Sequence, residues 1–357
     1  MSSSFGEKIK IQIFGQSHSP KLGVIIDGLP AGITLDMESI QAFLDRRRGG
    51  QAYSTPRAEN DIPQIICGIV DGKTCGAPLG VLFDNQNIKS QDYENIRNTP
   101  RPSHADLNAH IKYDGAQDKC GGGHFSGRLT LPFCFAGAIC LQILAEKGVQ
   151  IGAHIAQIKD IKDTPYDPVS VTAASFNRSA LPVNNQDAKA MMIKAVSDAA
   201  DADDSIGGIV ECAVLGLPQG LGQPMFNGLE NQIAQTVFAI PAVKGIEFGA
   251  GFAAATMYGS QHNDAYTIED NKVLPRTNHA GGILGGMSTG RPLIFRAAFK
   301  PTPSIAKEQD TVDLQTMTCV KINIKGRHDP CIVLRAVPCV EAAAAIAVIN
   351  LWEDTAI

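Results

Sequence analysis

The chain has 357 residues, 44% of them apolar and 19% charged, which is enough to bury a large core in one or two domains. Thirty-one Lys and Arg against 36 Asp and Glu leave a net charge of −5, and this argues against the basic surface of a general nucleic-acid binder. Nine cysteines, an odd number without a C-x-x-C spacing, point to reduced thiols rather than a disulfide framework or a structural zinc site.

Residues Met1 to Glu7 carry no apolar signal core, so a cytoplasmic protein is expected. Lys8 to Phe14 alternates polar and apolar, the pattern of a half-buried strand, and Leu22 to Ile26 is a second strand closed by Asp27-Gly28 and Pro30. Asp36 is placed to cap a helix running through Arg48, with Ile40, Phe43 and Leu44 on one face. Ile65 to Val70 and Leu79 to Phe83 read as strands around an Asp71-Gly72 turn.

The longest apolar run, Leu129 to Ala145, is shorter than the roughly 20 residues of a membrane span and contains Pro132 and Gln142. A buried core helix over Gly127 to Lys147, stopped by Gly148, is expected, and no membrane association. Val149 to Ile158 follows as a strand. Asp187 to Asp201 reads as a surface helix, Gly208 to Leu215 as a strand and Leu229 to Ile240 as a helix. Asn278 to Gly290 is rich in Gly and reads as loop. Leu293 to Phe299 and Val320 to Ile324 are strands, and Val340 to Leu351 is an apolar closing helix. Cys67, Cys134, Cys140 and Cys212 lie in apolar runs and read as buried thiols. No linker or repeat divides the chain, so residues 1–357 read as one domain. Helices alternate with hairpin-like strand pairs, which favours an α+β or layered architecture over a doubly wound sheet.

Gly68 to Thr74 looks like a phosphate-binding loop, but its first Gly is one residue too close to the Gly-Lys-Thr. A β-turn is the better reading. Gly121-Gly122-Gly123-His124-Phe125-Ser126 lacks the third Gly of a dinucleotide fingerprint. No metal-ligand spacing occurs.

Five constellations remain. Gly15-Gln16-Ser17-His18 ends the first strand, where a Ser-His pair can move protons beside a ligand. Asp45-Arg46-Arg47-Arg48 puts three arginines at a helix C-terminus. Arg101-Pro102-Ser103-His104-Ala105-Asp106 and Gly121 to Arg128 combine planar cations, histidines, hydroxyls and free N–H groups ahead of the core helix. Asn278-His279-Ala280-Gly281-Gly282, with Lys300-Pro301-Thr302-Pro303-Ser304, suits a phosphate-bearing cofactor. Gly326-Arg327-His328-Asp329-Pro330-Cys331, followed by Arg335, holds a carboxylate between Arg, His and Pro; it can act as a base or form a structural Arg–Asp pair. Together these indicate an enzyme acting on a phosphorylated substrate or cofactor.

In this order, and with Ala242-Val243-Lys244-Gly245-Ile246-Glu247, the segments resemble the chorismate synthase family nearly end to end. The resemblance implies a β-α-β sandwich, with a helical layer between antiparallel sheets, assembled as a homotetramer. It implies trans-1,4 elimination of phosphate from 5-enolpyruvylshikimate 3-phosphate with reduced FMN and no net redox change.

By the resemblance, His18 protonates the leaving phosphate, His104 favours the reduced anionic flavin, and Asp329 assists proton removal from C6. Ser17 and Ser126 relay protons. Arg47, Arg48, Arg101 and Arg128 serve the anionic substrate. The flavin is contacted by Arg47, His124, Phe125, Ser126, Pro241, Ala242, Gly285, Lys300, Pro301, Thr302, Pro303, Ser304 and Arg327.

The chain departs from the family at Gln16, Ser19, Ser103 and His124-Phe125, and Ala52-Tyr53-Ser54 stands where an arginine is usual, leaving Arg57 as a replacement. NADPH is therefore expected only as an electron source, with reduced flavin supplied from outside. The alternatives are a flavin enzyme of net hydride transfer, which would be supported by the nicotinamide fingerprint this chain lacks, and an anion-binding or assembly protein.

Overall fold

The computed structural model describes residues 3–50, 54, 59–87, 97–324 and 328–352. Seven helices are described: α1 (Met37–Arg47), α2 (Asp106–Lys112), α3 (Thr130–Glu146), α4 (Gln186–Asp201), α5 (Leu229–Phe238), α6 (Gly259–His262) and α7 (Val333–Leu351). Two five-stranded antiparallel sheets enclose a helical layer. In the first, the order is Ser4–Phe5, Lys10–Phe14, Lys21–Asp27, Leu79–Asp84, Gln64–Cys67. In the second it is Val243–Phe248, Leu293–Phe299, Gly208–Leu215, Gln150–Ile158, Ile161–Lys162.

The period-2 pattern sets the first sheet. Ile11 pairs with Ile26 and Val24 with Val81, so their side chains share the buried face, while Lys10, Gln12 and Ile25 point out. The second sheet is buried on both faces along Val210 to Val214. Its inner face meets α7, and Tyr166, Val171 and Phe176 pack with Ala213 and Ile294 in a separate small core.

The helical stretch Gly127–Glu146, which includes α3, and α7 are each long and apolar enough to cross a membrane, but they form the middle layer. The small residues Ala342 to Ala345 of α7 bring it hard against α3. A Cβ built on Gly137 would lie 2.3 Å from the Ala342 Cβ, so that crossing requires glycine. One continuous apolar core runs from Ile9 to Ile349.

Asp36 caps α1 as expected, accepting a hydrogen bond from the Ser39 N–H at 3.0 Å. The strands over Gly208–Leu215 and Leu293–Phe299 fall where the sequence puts them. Ile65 to Val70 is instead broken at Gly68 (φ +92°), and Ile69–Val70 turns back through Asp71-Gly72 to pair with Lys73–Thr74. The loop expected over Asn278 to Gly290 contains a small hairpin, Ile283–Leu284 with Met287–Ser288. The last helix starts at Val333 rather than Val340 and passes through Pro338, because burial along its whole length outweighs one lost backbone hydrogen bond. The expected surface helix α4 buries Ala188, Met192, Val196 and Ala199. All nine cysteines are free, and Cys67 is exposed rather than buried.

Candidate active site

One cavity of about 700 Å³ opens where several segments converge. They include the strand carrying Ile11 and Ile13, the C-terminus of α1, Glu59 and Asp61, residues 101–105, the 121–130 turn before α3, the end of α5, the end of the Leu293–Phe299 strand with residues 300–304 that follow it, and α7 with His328 and Asp329 just before it. Its size lies within the roughly 300–1,000 Å³ typical of small-molecule sites. Ile11, Ile13, Phe133, Ile332 and Ile346 form apolar wall, and Arg47, Arg48, Arg101, Arg128, Lys300 and Arg335 bring positive charge. Glu59, Asp61 and Asp329 are the lining carboxylates.

The three arginines at the C-terminal end of α1, Arg48 being its C-cap, separate by function. Arg46 turns into the core, where Glu341 of α7 accepts two hydrogen bonds from it at 2.6 and 3.0 Å and a third from the Ala153 N–H at 3.0 Å. Arg47 donates to Asp61 (2.8 Å) and to the Thr130 hydroxyl (3.1 Å). Arg48 reaches the cavity while bonded to Asp45 at 3.0 Å. Asp61 also receives Arg128. Burial alone would raise the Asp61 carboxyl, but the two guanidiniums beside it hold it below the usual carboxylate range.

His104 is held through its ring Nδ1, which lies 2.5 Å from the Asp106 carboxylate and 3.1 Å from Arg101 Nη2. Asp106 is gripped by Arg101 through Nε (2.7 Å) and Nη2 (2.8 Å). Despite partial burial, hydrogen bonds from Arg101 and His104 keep Asp106 far below its ordinary pKa. Arg101 also donates to the Ser304 hydroxyl at 3.2 Å and to the Gly121 carbonyl, tying three segments together. Ser103, at φ +58°, occupies the left-handed region that favours glycine, and its carbonyl accepts from Lys300. Burial and the nearby Lys244 lower the Lys300 ammonium.

Asp329 pairs with Arg335 at 2.6 Å, and Arg335 donates from Nε to the Arg47 carbonyl at 2.9 Å. The structural Arg–Asp pair weighed for this motif is therefore present, and it lies on the cavity wall. His124 donates from Nδ1 to the Gly15 carbonyl (2.8 Å), which leaves Nε2 facing the Ser3 hydroxyl at 2.9 Å.

The lining includes Ser17, Arg47, Arg48, Arg101, His104, His124, Phe125, Ser126, Arg128, Pro241, Ala242, Lys300, Thr302, Pro303, Ser304 and Asp329. His18 stands behind it: a Cβ on Gly121 would come within 2.6 Å of the imidazole. Pro301 and Gly285 do not line the cavity; Gly285 is the turn of the Ile283–Ser288 hairpin, at φ +62°. Tyr53, Arg57 and Arg327 lie outside the described residues.

The sequence does not single out Glu59, Asp61 or Asn85. Asp61 meets its partners across 14 and 67 positions in a polar stretch without periodicity. Asn85 accepts from Arg128 Nε at 2.9 Å. Among the described residues no cluster fits a metal ion.

The site fits a ligand with anionic and flat apolar parts. A buried Arg47 Nε and a buried Thr302 hydroxyl have no hydrogen-bond partner among the described residues, and a bound group can satisfy both. A Cβ on Gly127 would meet nothing within 4 Å, so backbone is presented to open space ahead of α3.

A family model described as chorismate synthase matches residues 9–352. The chain is 45% identical to a chorismate synthase of Lancefieldella parvula, over 98% of this chain and 96% of that one. It is 46% identical to one of Chitinophaga pinensis, over 97% and 95% of the two chains. A crystal structure of chorismate synthase superposes with a TM-score of 0.75 at 25% identity, covering 97% of this chain and 92% of that chain. The chain therefore belongs to the chorismate synthase family.

Proposed function

We propose that this protein is a carbon–oxygen lyase that eliminates phosphate from 5-enolpyruvylshikimate 3-phosphate in a trans-1,4 sense, giving chorismate with reduced FMN as cofactor. The observation that carries the reading is the convergence, in one cavity, of His104 held by Asp106, Asp329 held by Arg335, two serines and a set of cations.

The flavin would be held by Arg47, His124, Phe125, Ser126, Pro241, Ala242 and the Lys300–Ser304 segment. When bound, reduced FMN supplies the electron density that lets the allylic phosphate depart. Arg47, Arg48 and Lys300 neutralise the substrate's phosphate and carboxylates in surroundings of low dielectric. Arg101 and Arg128, engaged with Asp106 and Asp61, hold the loops that carry these groups. His18 supplies the proton for the departing phosphate, with Ser17 between it and the cavity. Asp329, oriented by Arg335, assists removal of the proton from C6. The apolar wall keeps water from competing for either proton.

The unbroken apolar core supports a single domain. Large exposed apolar side chains concentrated between Met225 and Met287, among them Phe226, Phe252, Tyr258 and Ile268, support a homotetramer. Nine free thiols support a cytoplasmic location. NADPH is read as an electron source only, with an external reductant delivering the flavin. Anaerobic incubation with substrate and dithionite-reduced FMN should produce chorismate, read by its absorbance. Absence of product while FMN quenches on binding would defeat the proposal.

A further inference from the structure

At the floor of the cavity two thiols touch. The Cys134 sulfur of α3 lies 3.6 Å from the Cys339 sulfur of α7. Cys339 lines the cavity, and Cys134 is fully buried behind it. One turn further along both helices, Gly137 meets Ala342 so closely that no Cβ fits between them. The backbones that carry the two thiols are thus held near one another, as a cross-link requires. Closing a bond of about 2.05 Å needs the sulfurs to approach by roughly 1.5 Å.

We propose that Cys134 and Cys339 form a reversible dithiol–disulfide site, oxidised by a small peroxide that enters through the cavity. The two sulfurs divide the work. Cys339 is the one reachable from the cavity, and the hydrogen bond from Cys134, against the effect of burial and with Arg47 nearby, lowers its thiol. Burial and the same contact push the Cys134 thiol well above its ordinary value. Cys339 is the attacking group and Cys134 the resolving one.

The Cys339 thiolate attacks one oxygen of hydrogen peroxide. A sulfur–oxygen bond forms as the oxygen–oxygen bond breaks, and the first water leaves. The Cys134 sulfur then displaces that oxygen, which departs as a second water with the remaining protons. Two thiols lose two electrons and two protons, and one peroxide becomes two waters. A dithiol reductant reverses the change.

The site is coupled to the cavity chemistry through α7. The reduced Cys339 thiol donates to the Arg335 carbonyl at 3.6 Å, one turn back, and Arg335 is the residue that holds Asp329. Oxidation removes that donor and draws Cys339 toward α3, so Asp329 loses its fixed position.

The test is mass spectrometry of the full chain after brief treatment with hydrogen peroxide, alkylation under denaturing conditions and digestion without reductant. The expected result is a Cys134–Cys339 linked peptide pair that has lost two hydrogens and separates on treatment with dithiothreitol. In Cys134→Ala the linked pair is absent, and Cys339, with no resolving thiol, is carried by a second peroxide to the sulfinic acid, two added oxygens that dithiothreitol does not remove. The proposal is overturned if exposed Cys67, Cys75 and Cys319 oxidise while Cys134 and Cys339 are recovered fully alkylated. It is also overturned if Cys339 in the wild-type chain takes up oxygen without linking to Cys134. These readouts concern the thiols alone and do not depend on turnover.

Discussion

Arg335 holds the Asp329 carboxylate at 2.6 Å and at the same time donates to the Arg47 carbonyl at 2.9 Å, so the first turn of α7 is pinned to the C-terminus of α1 across the cavity. The position of Asp329 depends on that double contact. Arg335→Met should lower kcat by roughly 10²-fold, the scale of a misplacement of about 1 Å at a reacting centre, with a much smaller change in KM. Arg335→Lys should recover part of the loss. Steady-state kinetics of both variants, with folding checked by circular dichroism, decides this; equal losses in kcat for Met and Lys with intact folding would contradict it.

Asp61 is a shared counter-ion, fully buried between Arg47 and Arg128. Asp61→Asn leaves two neighbouring guanidiniums without their carboxylate and should destabilise the fold by about 3–5 kcal/mol. Because the folded-state pKa of Asp61 is depressed, its contribution is present above its unfolded pKa of about 3.9 and disappears as pH falls through the lower folded value. Urea unfolding should therefore show the wild-type advantage over Asp61→Asn at neutral pH and its erosion in acid.

His154 is completely buried, bonded to Asp163 at 2.9 Å through Nδ1 and to Glu211 at 2.9 Å through Nε2. Burial alone would lower its pKa; the two carboxylates outweigh that and raise it. The stabilisation is complete below the unfolded value of about 6.5 and is lost as pH rises through the folded one. The difference in unfolding free energy between wild type and His154→Gln should shrink as pH rises above about 6.5. A difference that grows with pH would show that the ring is buried neutral.

At the α3–α7 crossing, Gly137→Ala adds a Cβ that would sit 2.3 Å from the Ala342 Cβ. Helix propensity favours alanine by up to about 1 kcal/mol, but overpacking costs about 1–3 kcal/mol. The variant should be less stable by chemical denaturation, and Gly137→Ala with Ala342→Gly should recover most of the loss.

Local signals in the sequence account for much of the architecture. An unbroken apolar run marks α3, Asp36 marks the start of α1, and alternation marks the strands of the first sheet. What escapes is decided by contacts distant in sequence. Pro338 lies inside α7, against its helix-breaking tendency, because α3, α5, α1 and the second sheet bury that helix. The order of the second sheet, with Leu293–Phe299 between Val243–Phe248 and Gly208–Leu215, leaves no local trace.

The site shows the same division. Residues in Gly- and Arg-rich segments announce themselves, whereas Asp61 and Glu59 become meaningful only once folded against Arg128 and the backbone of Gln86. His18 is visible as a motif, but its place behind Gly121, with Ser17 at the surface of the cavity, is a property of the fold.

The proposed reaction is an elimination that needs reduced flavin and consumes none of its electrons. The most direct measurement is an anaerobic reaction with 5-enolpyruvylshikimate 3-phosphate and a fixed, substoichiometric amount of photoreduced FMN, following chorismate, inorganic phosphate and the flavin spectrum together. Many turnovers, one phosphate per chorismate, and a flavin that ends as reduced as it began are expected. A single turnover per reduced flavin, with the flavin left oxidised, would contradict it and identify a net hydride transfer instead.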